Sequence, residues 1–406
     1  MTMKHTPRIR GVAAVLAAGA ALLAGSESAA AQSLYASRGL GYVNPPVDGR
    51  ARGLGGAGLA LPGGGLSLVN PAAIAAIPVS AISMAFQPDF YDASIPGQGI
   101  DGSTARFPLL HAVFPFGQKW TFSAGYGSFL DQTWAAESSS DLVLPGREVE
   151  VTDRFVSRGG VARLRAGAAY SITDRLSVGV AGDLYAGGVR DTVTRTFRAP
   201  EGTLGLDLSP TAHTGEWTYR SLGGSLGVRW VPIDALNLAA AVTAAGKLEG
   251  RPSGGTDSVA VGKEFSLPLT FDVGASGRVT PGALVVLNGQ WAGWSAADAD
   301  LASAGGARDA WTLAGGVEFG PAALDARSFP LRVGARYSAL PFRWGPVSED
   351  GAFPNEKALT AGIGARLANG AALVDLGGER GWRGGGDSVL DESYWRMTLS
   401  LTLLGR

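Results

Sequence analysis

Period-two alternation is the feature that most limits what this chain can fold into. In the last segment Trp395, Met397, Leu399, Leu401 and Leu403 share one face, and Arg396, Thr398, Ser400 and Thr402 share the other. "LRVGARYSA" repeats the pattern, with Leu331, Val333, Ala335 and Tyr337 against Arg332, Gly334, Arg336 and Ser338. "EFSLPLTFDVGASGRV" does so again, placing Phe265, Leu267, Leu269, Phe271, Val273 and Ala275 opposite Ser266, Thr270, Asp272, Ser276 and Arg278. Such a period makes strands with one apolar and one polar face. A soluble sandwich alternates in the same way, so number and spacing must decide.

Fourteen segments qualify, near 79–91, 105–116, 119–135, 154–172, 175–197, 213–232, 235–249, 264–280, 282–296, 308–320, 328–342, 355–369, 370–382 and 392–405. Several exceed the ~5–6 residues of an ordinary strand and suit the ~9–11 that cross a bilayer at a tilt. Their connections also alternate. One set is short ("PFGQ", "TDR", "PID", "TPG", "NG", with "GPAALDAR" the longest). The other is long, as in "AESSSDLVLPGREVEVTD" and "AADADLASAGGAR". Short turns at one rim and long loops at the other are the pattern of bacterial outer-membrane barrels. On this topology Trp134, Trp217, Trp291, Trp294, Trp311, Trp344, Trp382 and Trp395 fall near the long-loop rim, and Trp120 and Trp230 near the short-turn rim. That is the placement of an aromatic girdle. The expected fold is all-β: a transmembrane antiparallel barrel of 14 strands, formed by a single chain among outer-membrane lipids.

Residues 1–31 read as a secretory leader. Lys4, Arg8 and Arg10 precede the apolar run Gly11–Gly25, and Ala29 and Ala31 stand before a cut at Ala31/Gln32. Losing Lys4, Arg8, Arg10 and Glu27 takes the formal charge from −1 to −3. A balance so near neutrality provides no basic field for nucleic acid. Cysteine is absent, which excludes disulfides and thiolate chemistry.

Residues 32–78 precede the first strand of the domain 79–406 and do not alternate. The stretch "RGLGGAGLALPGGGLSLVNPAAIAAIP" is too apolar for a free tail and too rich in glycine for a stable helix. A lumen bounded by 14 strands is wider than its own side chains can fill. The segment is therefore expected to be a hatch, with Gly53, Gly55, Gly56 and Gly58 allowing tight turns and Asn70-Pro71 opening a short helical turn.

"RGLGGAGLAL…LVNPAAIA", "SLPLTFDVGASGRV" followed by "LNGQWAGWS", and "FPLRVGARYSALPF" resemble, in matching order, the FadL/TodX-type outer-membrane transport proteins. The ending "LTLLGR" departs from the aromatic last residue of many such barrels. The resemblance implies uptake of hydrophobic small molecules, long-chain fatty acids or hydrocarbons, without cofactor or metal. It also implies a hatch movement and a lateral gap at a kink in the third strand. That strand, "WTFSAGYGSFLDQTW", carries Gly125 and Gly127 near its middle. Glycine within a strand marks a bulge or close backbone approach.

Alternation directs Arg163, Arg165, Asp183, Arg229, Asp272, Arg278, Gln290, Glu318, Arg332, Arg336, Arg366, Asp375 and Arg396 into the lumen. Most of these are expected to brace the wall. Arg163 with Arg165, and Arg332 with Arg336, are same-face pairs suited to a substrate carboxylate, because a guanidinium grips a carboxylate with two parallel hydrogen bonds. "GTLGLDL" and "DSVAVGKEF" are candidate apolar capture loops. His111 and His213 lack any nucleophile or metal-spacing motif around them, so an enzyme is not expected. The alternative readings are a barrel like the shuttle proteins of type IX secretion, which bind protein cargo, or a nonspecific porin.

Overall fold

A computed structural model describes residues 33–63, 68–95, 98–144, 147–198, 209–255, 261–301, 306–320, 328–344, 353–385 and 390–405. The leader, Leu66 of the hatch and the loop "GTLGLDL" lie outside the described residues. The chain opens with a 3₁₀ turn (Leu34–Ser37), a two-residue strand β1 (Tyr42–Val43), a helical turn α1 (Gly49–Gly53) and a second 3₁₀ turn (Pro71–Ala76). The wall follows as β2 (Ala81–Ile95), β3 (Gln98–Phe116), β4 (Trp120–Asp131) continued by β5 (Trp134–Leu144), β6 (Arg147–Thr173), β7 (Leu176–Arg198) and β8 (Thr211–Ile233). It goes on as β9 (Leu236–Ala245) continued by β10 (Leu248–Gly255), β11 (Lys263–Phe265) continued by β12 (Thr270–Thr280), β13 (Ala283–Ala292) and β14 (Ala310–Phe319). It ends with β15 (Leu331–Ala339), β16 (Asn355–Leu367), β17 (Ala372–Gly384) and β18 (Asp391–Leu404).

With β4/β5, β9/β10 and β11/β12 each counted as one interrupted wall strand, the barrel has 14 antiparallel strands. Pairing of β18 with β2, from Leu404↔Ala81 to Asp391↔Ser94, closes it. Closure gives the first and last wall strands a partner inside the bilayer, where an unpaired backbone group finds no water.

Alternation assigns the faces as expected in β15 and β18. Leu331, Val333, Trp395, Met397 and Leu403 are exposed toward lipid, while Arg332, Arg336, Arg396, Thr398 and Ser400 are buried in the lumen. The phase breaks in "EFSLPLTF". Phe265 and Leu267 turn into the lumen, whereas Leu269, Phe271 and Val273 face lipid. Pro268 has no N–H to give to the ladder, and the strand is interrupted between Phe265 and Thr270, so the two halves are out of register.

Two of the long loops are largely strand. Residues 134–144 and 147–157 pair as a hairpin above the membrane, Trp134↔Ser157 to Leu144↔Arg147, and β2 and β3 pair out to Ile95↔Gln98. The loop after β13 turns back over the lumen. Its turns Trp294–Ala297 and Ala299–Leu301 fold inward as a roof, burying Trp294, Ala297 and Leu301 with Leu40, Phe265 and Phe342. Trp294 thus leaves the expected girdle, and so does Trp344, which is buried against Tyr35 of the hatch with ring centroids 5.4 Å apart. The exposed tryptophans at the rims are Trp120, Trp230, Trp291, Trp311, Trp382 and Trp395.

Candidate functional site

The hatch winds through the lumen and touches nearly every side of it. Ser33 Oγ donates to Glu392 at 2.8 Å. Asp48 caps α1 by accepting from Ala51 N at 2.7 Å, and burial holds its carboxyl above the usual range against that hydrogen bond. Gly55 and Gly56 have φ of 77° and 90°, so a side chain at either would be strained. Asn70 accepts from Ala72 N at 2.9 Å and donates to Val228 O at 3.1 Å, which places the Pro71 turn against β7 and β8. Leu54, Leu68 and Ile74 are fully or almost fully buried, each contributing about 1.5–3 kcal/mol.

Charge fixes the first half of the hatch. Arg52, fully buried, donates to Glu379 at 3.0 Å. Glu379 also accepts from Arg336 at 2.6 Å and from Tyr394 Oη at 2.5 Å. Glu356 takes Arg336, Arg383 and the hatch hydroxyl of Tyr42 at 2.7, 2.6 and 2.7 Å, and the Arg383 guanidinium lies 4.3 Å from the Tyr42 ring. Lower down, Arg50 and Arg332 share Glu318 at 2.8 and 2.7 Å, and Arg332 reaches Asp375 at 2.7 Å. Removing one member of a buried charge set leaves its partners uncompensated. Glu379→Gln is therefore expected to destabilise the hatched state by about 3–5 kcal/mol, read as trypsin cleavage at Arg50 and Arg52 in an otherwise folded barrel.

The four arginines singled out by spacing separate in the structure. Arg332 and Arg336 are saturated by the carboxylates above, and Arg336 also meets Gly55 O. Arg165 forms two parallel bonds to Asp183 at 2.7 and 2.8 Å and also reaches Ser225 and the hatch carbonyls Leu68 O and Val69 O. Arg163 differs. It is 8% exposed, hydrogen-bonds Leu68 O at 3.2 Å and the Tyr185 hydroxyl, and forms no ion pair among the described residues. Its Nε has no hydrogen-bond partner there.

Arg163 lines a cavity of about 90 Å³ whose walls include Val43, Pro46, Phe129, Leu267 and Trp294, with Asp272 and Gln290 as further polar groups. The rings of Phe129 and Tyr185 are 4.9 Å apart, and the Trp294 roof stacks on Phe129 at 6.3 Å. Where ~10–15 Å³ holds one water, this space accepts a carboxylate and a few carbons.

The cavity adjoins a break in the wall. The ladder between β3 and β4 runs from Phe116↔Trp120 through His111↔Gly125 to Leu109↔Gly127 and goes no further. Both glycines keep their pairing. Side chains there would collide with the hatch, since a Cβ at Gly125 would lie 2.6 Å from Leu68 and one at Gly127 2.7 Å from Pro46. Beyond Gly127 the edge of β4 pairs with the hatch instead, Val43↔Leu130 and Tyr42↔Asp131. Arg106 spans the break, holding Asp89 of β2 on one bank and Asp131 on the other, the latter at 3.4 Å.

Spacing alone missed Arg50, Arg52, Tyr42, Asp89, Arg106, Glu356, Glu379, Arg383 and Glu392. The wall residues among them lie on the polar phase of their strands and were legible as such. The hatch residues carry no periodic signal.

A closed antiparallel barrel with short turns at one rim, long hairpins at the other, a lipid-facing girdle and a plugged lumen is a bacterial outer-membrane protein. Its fold is that of the FadL/TodX channels. A Pseudomonas aeruginosa FadL homologue superposes with a TM-score of 0.58 at 15% identity, covering 89% of this chain and 99% of that one. The CymD monoaromatic hydrocarbon channel does so at 0.56 and 17%, covering 89% and 98%. The Pseudomonas putida toluene transporter TodX does so at 0.55 and 14%, covering 89% and 97%. A family model described as BamG matches residues 9–205. No curated protein sequence matches the chain significantly.

Proposed function

We propose that this chain takes apolar small molecules with an anionic head from the outer face and releases them sideways into the bilayer. Residues 1–31 serve as a removed leader, 32–78 as the hatch and 79–406 as the channel. The observation that carries this reading is the cavity beside Arg163, which abuts the one stretch of β4 edge held by the hatch rather than by β3. The fold is shared with channels named for hydrocarbons and toluene, which supports an apolar cargo. Arg163 supplies the charge and Phe129, Leu267 and Trp294 the apolar wall. A long chain needs more room than the closed cavity has, so Val43–Pro46 must withdraw as it binds.

Arg163→Gln tests the assignment. A charge-assisted hydrogen bond contributes about 1.5–3 kcal/mol, so affinity for a fatty acid is expected to fall about 10- to 100-fold. Affinity for a neutral hydrocarbon of equal length should not change. Equal losses for both ligands would make Arg163 a structural residue only.

A further inference from the structure

We propose that Lys357 and Arg380 on the outer wall hold the phosphate of an outer-leaflet glycolipid, whose acyl chains lie in hollows beside them. Both side chains stand on the lipid-facing phase of their strands. Glu356 and Ala358 flank Lys357 and are buried inward, as Glu379 and Gly381 are around Arg380. The register sets Lys357 opposite Tyr337 on β15 and Trp382 on β17. Arg380 lies opposite Leu359 on β16 and Trp395 on β18. The two cations are thus diagonal neighbours on one face, at the usual spacing of ~7–8 Å.

Arg380 is held in place before any ligand arrives. Its guanidinium lies 5.5 Å from the Trp382 ring and 5.2 Å from the Trp395 ring, and Nη2 donates to Ser393 Oγ at 3.1 Å. Trp382 and Trp395 belong to the exposed girdle, which marks the level of the lipid headgroups. Neither cation has a carboxylate partner among the described ion pairs. On the opposite side of the same rim, Arg190, Lys247 and Arg251 are neutralised by Glu216, Glu264 and Glu249. Two unneutralised cations in the headgroup layer call for an anion, and a planar guanidinium suits phosphate oxygens.

The surface below suits acyl chains. Directly beneath Arg380 the outward residues are Gly378 and Ala361, and a side chain at Gly378 would find no atom closer than 4.0 Å. On the other side of Lys357, a groove of about 710 Å³ runs over Ala335, Gly315 and Gly289 between Leu287, Leu313 and Tyr337. It faces the bilayer, where lipid is the species that can fill it. Two hollows beside one cation pair fit a phosphorylated lipid with several chains better than a single-chain amphiphile.

The test uses delipidated full-length protein in nonionic detergent, titrated with diphosphorylated lipid A, dephosphorylated lipid A or inorganic phosphate and read by native mass spectrometry. Lipid A is expected to bind on the order of tenfold or more tightly than its dephosphorylated form, because each surface cation contributes to anionic-lipid affinity. Inorganic phosphate at equal concentration should not displace it. The double variant Lys357→Gln/Arg380→Gln should lose that preference with an unchanged thermal midpoint in lipid-free detergent. Gly289→Leu, whose Cβ has room in the groove 3.5 Å from Val273, should weaken both lipids alike. Equal binding of the two lipids by the wild type, unchanged preference in the double variant, or displacement by inorganic phosphate would each overturn the proposal.

Discussion

Deletion of residues 32–78 is expected to turn a silent barrel into a large, steady pore in planar bilayers. The ring still closes without the hatch, because β18 pairs with β2 from Leu404↔Ala81 to Asp391↔Ser94, and the loss of β1 uncovers only the edge of β4 beyond Gly127. The lumen does need the hatch, since a ring of 14 strands is too wide to fill with its own side chains. Without the hatch, Glu318, Glu356 and Glu379 lose Arg50, Tyr42 and Arg52. Arg332, Arg336 and Arg383 remain to balance them, and water replaces the missing donors. The deleted protein should therefore keep its barrel and conduct without the brief closures of a gated channel. Intact protein that conducts as freely as the deletion would show that the segment does not seal the lumen. Intermediate conductance in Glu379→Gln would locate the seal in the charged first half of the hatch.

The wall was largely legible because a strand in a barrel has a fixed environment on each face. Lipid on one side and a polar lumen on the other impose period two, and β15 and β18 show it residue by residue. Legibility failed where a third environment entered. Phe265, Leu267 and Trp294 are apolar yet point inward, because the roof and Leu40 of the hatch make an apolar cluster inside the upper lumen. Alternation cannot distinguish that cluster from lipid. The arginine pairs show the same limit. Spacing placed Arg163 and Arg165 on one face, but neutralisation depends on Asp183, a neighbour across the ladder, and on hatch carbonyls more than ninety residues away in sequence. Nor did anything local foretell that the edge of β4 would be completed by Tyr42 and Val43. A two-residue strand has no period to read.

That completion supports the second large effect. A disulfide between Val43→Cys and Leu130→Cys is expected to abolish uptake of a long-chain acid while leaving intact the binding of a short-chain acid, which fits the closed cavity. Asn44 N donates to Phe129 O at 2.9 Å, so residues 44 and 129 face each other as a hydrogen-bonded pair. Val43 and Leu130, one step along, are then a non-hydrogen-bonded pair, whose Cα atoms lie about 4.5 Å apart. This is within reach of an unstrained disulfide. The chain has no cysteine of its own, so the bond forms between these two positions alone. It welds the hatch to the edge of β4 at the place where β3 gives way and where Arg106 bridges to Asp131. Arg163 and Trp294 stay in place to bind the ligand's head. A cargo leaving between β3 and β4 must displace β1, and the oxidised protein cannot let it pass. Reduction should restore transport, which separates the constraint from the substitutions themselves. Full uptake in completely oxidised protein would close the lateral route and leave passage toward the periplasm, through a hatch that moves below Pro46.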